Sequence, residues 1–167
     1  MAEPRWLNAR EDRAWRGYMR MRALLDLQIT RDLARDSGLS EADYQVLVAL
    51  SETPGHRVRL YELAELTNWS TSRLAHHLDR MGRRDLVCKE EHPDNRRAAV
   101  VALTPTGLRT IEEAAPHHVE SVRRHFIDLL TEEQIDALAD ATGTVVEHLR
   151  GLEDRPRRRS PQRPDKG

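Results

Sequence analysis

The apolar residues of this chain change period at Leu86, and that change sets the architecture. Before it, Leu60, Leu63 and Ala64 in "RLYELAELT" and Leu74, Leu78 and Met81 in "STSRLAHHLDRMGRR" recur at helical steps of three or four. Only Asn68-Trp69 separates the two segments, and Ser70 is a good N-cap for the second. After it, "LVCKEE" and "AAVVAL" are short β-prone runs joined by "HPDNRR", whose Pro93-Asp94-Asn95 is turn chemistry. The expectation is a helix, a tight turn, a second helix and a β-hairpin with an arginine-bearing tip.

Helices flank this block on both sides. Asn8 followed by Glu11 is a capping pair that starts one, and Trp15, Tyr18, Leu25, Ile29 and Leu33 stripe it until Ser37-Gly38. Ser40 with Asp43 starts the next, with Leu39 and Tyr44 placed for a hydrophobic staple; it carries Leu47, Val48 and Leu50 and stops at Thr53-Pro54-Gly55. Thr104-Pro105 opens a long helix striped by Leu108, Ile111, Ala115, Val119, Val122, Phe126 and Leu129, with a kink expected at Pro116. Thr131 with Gln134 caps the last, which carries Ile135, Leu138, Val145, Leu149 and Leu152. The order is that of a winged helix-turn-helix: mainly α with a small β-hairpin (α+β). The expected division is an N-terminal dimerisation helix (1–38), a DNA-binding lobe (39–103), C-terminal dimerisation helices (104–153) and a disordered basic tail (154–167).

Composition supports the dimer. Aromatic residues make up 4% of the 167 residues, too few for a large monomeric core, so the striped terminal helices need a second copy. The formal net charge of -1 excludes a protein basic all over but not local basic patches. The single cysteine, Cys88, excludes a disulfide framework and reads as a half-buried structural thiol. No apolar run approaches the ~18 residues of a membrane span, and the charged start "MAEPRWLNARED" is unlike a signal peptide, so the expected location is cytoplasmic with no membrane partner.

The segment 70–84 carries the chemistry. With about 100° per residue, Leu74, Leu78 and Met81 fall in one narrow seam, and Ser72, Arg73, His76, His77, Arg80, Arg83 and Arg84 spread over the other side. Guanidinium, imidazole and hydroxyl groups at a helix N-terminal half suit a DNA major groove, where Ser70 and Thr71 also stand. Arg96 and Arg97 on the narrow tip suit a minor groove or flanking phosphates. Any surface helix has a polar face; its place after a helix-turn distinguishes this one. Adjacent His76 and His77 point about 100° apart and cannot share a tetrahedral ion, and no H-E-x-x-H is present, so neither a metal nor a cofactor is expected.

The stretches "GLSEADYQVLVAL", "LYELAELTNWSTSRLAHHLDRM" and "HPDNRRAAVVALTPTG" resemble the multiple antibiotic resistance regulator (MarR) family of bacterial transcription factors over about residues 8 to 152. The last is the most specific, with Asp94, Arg96, Leu103, Thr104 and Gly107 filling the family's wing and helix-opening positions. The resemblance implies a homodimer with interlocked terminal helices on a pseudo-palindromic double-stranded operator. Recognition helices 70–84 would sit in the major groove and wings 92–97 in the minor groove, with Arg96 inserted and Asp94 bracing the wing through an arginine. It also implies release by a small, aromatic or anionic effector, for which Trp15, Tyr18 and Arg22 are the candidates; the plainer reading of Trp15 and Tyr18 is dimer core. The sequence departs from the family at Asp85, where a glycine usually ends the recognition helix; Asp tolerates the left-handed conformation there.

The leading expectation is a ligand-responsive regulator, most simply a repressor. The alternatives are a helical protein-interaction module that does not bind DNA, which would need exposed apolar anchors on this face, and a metal-sensing regulator. No phosphate loop, nucleophile elbow or paired carboxylates suggest an enzyme.

Overall fold

The computed structural model describes residues 3–92 and 95–153, with the side chains of 91–98 and 153 outside that description. The described residues form α1 (Ala9–Ser37), α2 (Glu41–Ser51), β1 (Arg57–Arg59), α3 (Leu60–Thr67), α4 (Thr71–Arg83), β2 (Val87–His92), β3 (Asn95–Leu103), α5 (Pro105–His125) and α6 (Glu132–Glu153). The tail 154–167 and Asp94 lie outside the described residues, as do the side chains of Arg96 and Arg97.

Local chemistry sets most helix starts. The Asn8 side chain accepts from the Arg10 and Glu11 backbone N–H groups at 3.0 Å each, and Glu11 accepts from the Asn8 N–H at 2.9 Å. Gly38, at φ 66°, ends α1 in the left-handed conformation that glycine adopts without a Cβ penalty. Ser40 and Asp43 form the reciprocal box at α2. Thr104 accepts from the Gly107 N–H at 2.9 Å with Pro105 at the first helical position. Thr131 and Gln134 do the same before α6.

The hairpin gains a third strand. β1 pairs with β3, giving antiparallel order β1-β3-β2, with Val58 opposite Val101 and Cys88 opposite Ala102. Three residues are too few to display a period of two, so β1 leaves no signature in the sequence. The Arg57 guanidinium reaches across the central strand to Glu90 and ties the outer strands together. Cys88 is half-buried, its thiol near Glu90.

The core lies between the helices and this sheet: Leu39, Val46, Leu47, Leu50, Leu63, Leu74, Leu78, Met81, Leu86, Val101 and Ile111 are all buried. Each buried leucine contributes about 2 kcal/mol through the surface it removes from water. α5 joins this core at a point with no spare room. A Cβ at Gly107 would stand 1.9 Å from the Leu86 carbonyl oxygen. Beside it Asp85 takes φ 56°, the left-handed conformation expected where α4 ends. Its carbonyl accepts from the Thr104 hydroxyl at 2.5 Å, and its carboxylate accepts from the Thr106 hydroxyl at 2.8 Å.

α5 runs unbroken through Pro116 and stops at His125, so the apolar stripe expected to continue to Leu129 is divided by a non-helical Phe126. Its face toward the chain's own core also differs from that stripe. Ile111, Ala114 and Ser121 are buried while Val119 is exposed. Ser121 belongs to a polar cluster that fastens α5 to α1. Asp32, 2% exposed, accepts from the Ser121 hydroxyl at 2.7 Å, lies 2.9 Å from His125 Nε2, and receives Arg35 and Gln28 from its own helix. The Ser121 hydrogen bond, aided by His125 and Arg35 against the cost of burial, holds the Asp32 carboxyl below the usual range.

Residues to Phe126 form one compact unit, and Ile127 onward form a second, built on a 3-10 turn (Ile127–Leu129) and α6. On α6, Val145, Val146, Leu149 and Leu152 are exposed. No helix among the described residues is long and apolar enough to cross a membrane.

Candidate nucleic-acid interface

α3 ends at Asn68, whose φ of 54° reverses the chain within two residues, and the Ser70 side chain accepts from the Arg73 N–H at 3.3 Å to start α4. The tight turn and the cap together set how α4 leaves the lobe. Leu74, Leu78 and Met81 are fully buried, as their seam requires, and Ser70, Thr71, Ser72, Arg73, His76, Arg80 and Arg84 are exposed.

His77 departs from the expectation. It is 6% exposed and turns into the lobe rather than outward. On the helical wheel it stands about 60° from Leu74, at the margin of the seam rather than opposite it. The buried sector of α4 is wider than three leucine-sized residues suggest, and His77 fills its edge. Its Nδ1 lies 2.7 Å from an Arg80 guanidinium nitrogen, and its Nε2 stands 3.1 Å from Asp43 Oδ1, close but not aligned for a hydrogen bond. An arginine only donates, so Nδ1 accepts and the ring proton sits on Nε2, facing the carboxylate. Burial lowers the His77 pKa against the opposing pull of Asp43, favouring this neutral ring.

Arg84 also departs from the groove-facing role. It donates to Asp43 Oδ2 at 2.7 Å and to the Gly38 carbonyl at 3.3 Å, so the last turn of α4 is tied to the start of α2. Burial works to raise the Asp43 pKa, but Arg84 and the Ser40 hydrogen bonds outweigh it and hold the carboxyl low. The capping role of Asp43 is local and legible; its contact with Arg84 joins positions 41 residues apart and is not.

The outer face of α4 has two unlike flanks. On one, Arg73 lies 4.1 Å above the Trp69 ring, and Trp69 meets His77 edge-on at 5.4 Å between centroids. Arg73 and Arg80 thus stand about two turns apart over a common support. On the other flank Asp79, an acid that would repel phosphates, is paired with Lys89 of β2 at 2.5 Å. Trp69, Asp79 and Lys89 were not singled out from the sequence, although an aromatic in the turn and an acid on a basic face are visible there. His76 is exposed and His77 buried, so the pair diverges. Among the described residues, no three His, Cys, Asp or Glu gather where they could hold a metal ion.

The effector candidates do not form a closed site within one chain. Trp15 and Tyr18 are exposed, with ring centroids 6.0 Å apart. Trp15 lines an open groove with Trp6, Leu7 and Met19, and neither Tyr18 nor Arg22 contributes to it.

Comparison with known proteins agrees with this geometry. A sequence profile of the MarR family matches residues 39–99, the lobe that carries α2 to the wing. The chain is 44% identical to AbsC, a MarR family transcriptional regulator from Streptomyces coelicolor, with 89% of this chain and 99% of that one covered and a TM-score of 0.84. It is 37% identical to Sco3205 from the same organism, a MarR family regulator crystallised in complex with DNA, over 89% of this chain and 93% of that one, again with a TM-score of 0.84. A transcriptional repressor from Bacillus subtilis, YetL, is 26% identical over 70% of each chain. The chain is a member of the MarR family, and its winged lobe is that of a DNA-binding transcriptional regulator.

Proposed function

We propose that the chain acts as a homodimeric, cytoplasmic repressor without a catalytic step of its own, which binds a pseudo-palindromic operator and leaves it when a small aromatic or anionic molecule binds. The observation that carries the DNA-facing part is the outer surface of α4. Arg73 and Arg80 are supported from beneath, Ser72, His76 and Arg83 stand exposed on the same face, and the one acid, Asp79, is neutralised by Lys89. Such a surface enters the major groove with guanidinium forks toward bases and helix N-terminal groups toward phosphates. The wing, with Asp94, Arg96 and Arg97, lies in the flanking minor groove. Ser70 and Thr71 serve the phosphates at the start of the helix.

The dimer rests on apolar surface that one chain leaves uncovered. Trp6, Leu7, Trp15, Met19, Leu24 and Leu27 are exposed in and before α1, as are four aliphatic residues of α6. Trp15 and Tyr18 fit that interface first, and an effector would use them with Arg22 only where a second chain completes a site around all three.

The test is a gel shift against the DNA upstream of its own gene at rising salt. Binding should fall steeply with log salt, in proportion to the phosphates neutralised. A salt-insensitive shift, or none, would sink the reading and favour a protein-docking module. Addition of aromatic acids to a preformed complex tests release.

A further inference from the structure

We infer that His77 is a positioning residue for DNA recognition: buried beneath α4, it orders Arg80 directly and Arg73 through Trp69. The inference rests on the DNA-binding reading above and names the side chain on which its selectivity depends. Three contacts carry it. Nδ1 of His77 accepts from Arg80 at 2.7 Å; the Trp69 ring meets His77 at an interplanar angle of 86°; and Arg73 stacks 4.1 Å over that same Trp69 ring.

A solvated arginine loses considerable rotamer entropy when it docks bidentately on a guanine edge. One already held by a buried acceptor or an aromatic face has lost part of that freedom beforehand, so the correct base meets a preset fork. The His77 ring is itself fixed. Asp43 stands 3.1 Å from Nε2 and is anchored in turn by Arg84 and Ser40. The imidazole therefore presents its lone pair to Arg80, and protein packing rather than DNA sets the direction.

Two substitutions separate this role from mere packing. His77→Phe keeps a ring against Trp69 and removes the acceptor. His77→Asn removes the ring and keeps an acceptor oxygen where Nδ1 lies. The probe is a duplex enriched by the wild-type protein from a random-sequence pool, and the readout is its Kd relative to an unrelated duplex of equal length. His77→Phe is expected to lose about tenfold in that ratio, the scale of one weakened arginine-base contact. His77→Asn should lose less selectivity than His77→Phe while melting at a lower temperature. If selectivity instead follows melting temperature, with Phe near wild type and Asn impaired, His77 only packs and the inference is overturned. Should His77→Phe not fold, Arg80→Ala decides: unchanged selectivity overturns the inference, and a loss of about tenfold supports it. If the wild-type protein enriches no sequence, the DNA-binding reading falls and this inference with it; enrichment together with the wrong ranking removes the inference alone.

Discussion

Arg84, which caps the C-terminal end of α4, closes on Asp43 in the first turn of α2 at 2.7 Å, and the residue it meets is 4% exposed. A buried carboxylate deprived of its main counter-charge is left with only partial compensation. Arg84→Ala is therefore expected to cost about 1–3 kcal/mol of stability, less than a fully buried pair because the arginine is partly solvated. Chemical denaturation checks it: Arg84→Ala in an Asp43→Asn background should cost much less than in the wild type.

Acid should weaken the fold in two separate windows. Burial lowers the pKa of His77, and that of His118, which lies 4.2 Å from the Tyr44 ring and has a buried Nδ1 without a partner. For both, the unfolded chain binds the proton more readily, so their contribution is full above about pH 6.5 and falls as pH drops below it. Asp32 and Asp43 are also depressed, and their contribution is lost only as pH falls below about 4. Melting temperature against pH should thus fall in two steps, with the upper step flattened in His77→Phe/His118→Phe.

Gly107→Ala should be among the most damaging single substitutions. The added methyl would sit 1.9 Å from a backbone oxygen, which cannot move aside as a flexible side chain can. A loss of about 3 kcal/mol or more is expected, the upper part of the overpacking range. Thermal unfolding checks it; a melting temperature near wild type would mean that α5 does not approach Leu86 so closely.

Lys89 should matter to DNA through the acid it masks. Lys89→Ala exposes the Asp79 carboxylate on the outer face of α4 and should weaken DNA binding more than the loss of a single cation does. Asp79→Asn in the Lys89→Ala background should recover part of the affinity. Equal Kd values for the single and double variants in a fluorescence titration would refute the masking.

Arg96→Ala should weaken DNA binding while leaving the dimer intact in sedimentation. Its side chain lies outside the described residues, so the expectation comes from its sequence position at the wing tip. Dissociation of the dimer would mean that the wing has been misplaced.

What was legible in the sequence was local. Asn8, Ser40, Thr104 and Thr131 announce their helices through partners two or three residues away, and the left-handed turn at Asp85 follows from the family's helix-ending glycine position, which Asp tolerates. The seam of Leu74, Leu78 and Met81 follows from periodicity. What escaped depends on chain paths that a linear pattern does not contain. Asp32 finds Ser121 and His125 across 89 and 93 residues, and the buried face of α5 follows that polar cluster rather than the valine stripe. A polar residue at a seam's margin, as His77 is, has no way to reveal in sequence that a carboxylate waits beneath it.

The junction of Asp85 and Leu86 with Thr104, Thr106 and Gly107 acts as the fulcrum of a lever. The backbone contact leaves no slack, so the C-terminal end of α4 and the root of α5 move as one piece. α5 is 21 residues long, a rod of about 32 Å at helical rise. A tilt of a few degrees, worth little at its root, becomes about 2–3 Å at the far end of such a rod. In a dimer that reads half-sites one helical turn apart, a small molecule wedged far from DNA would need no unfolding to disengage it; shifting the distant end of α5 would suffice.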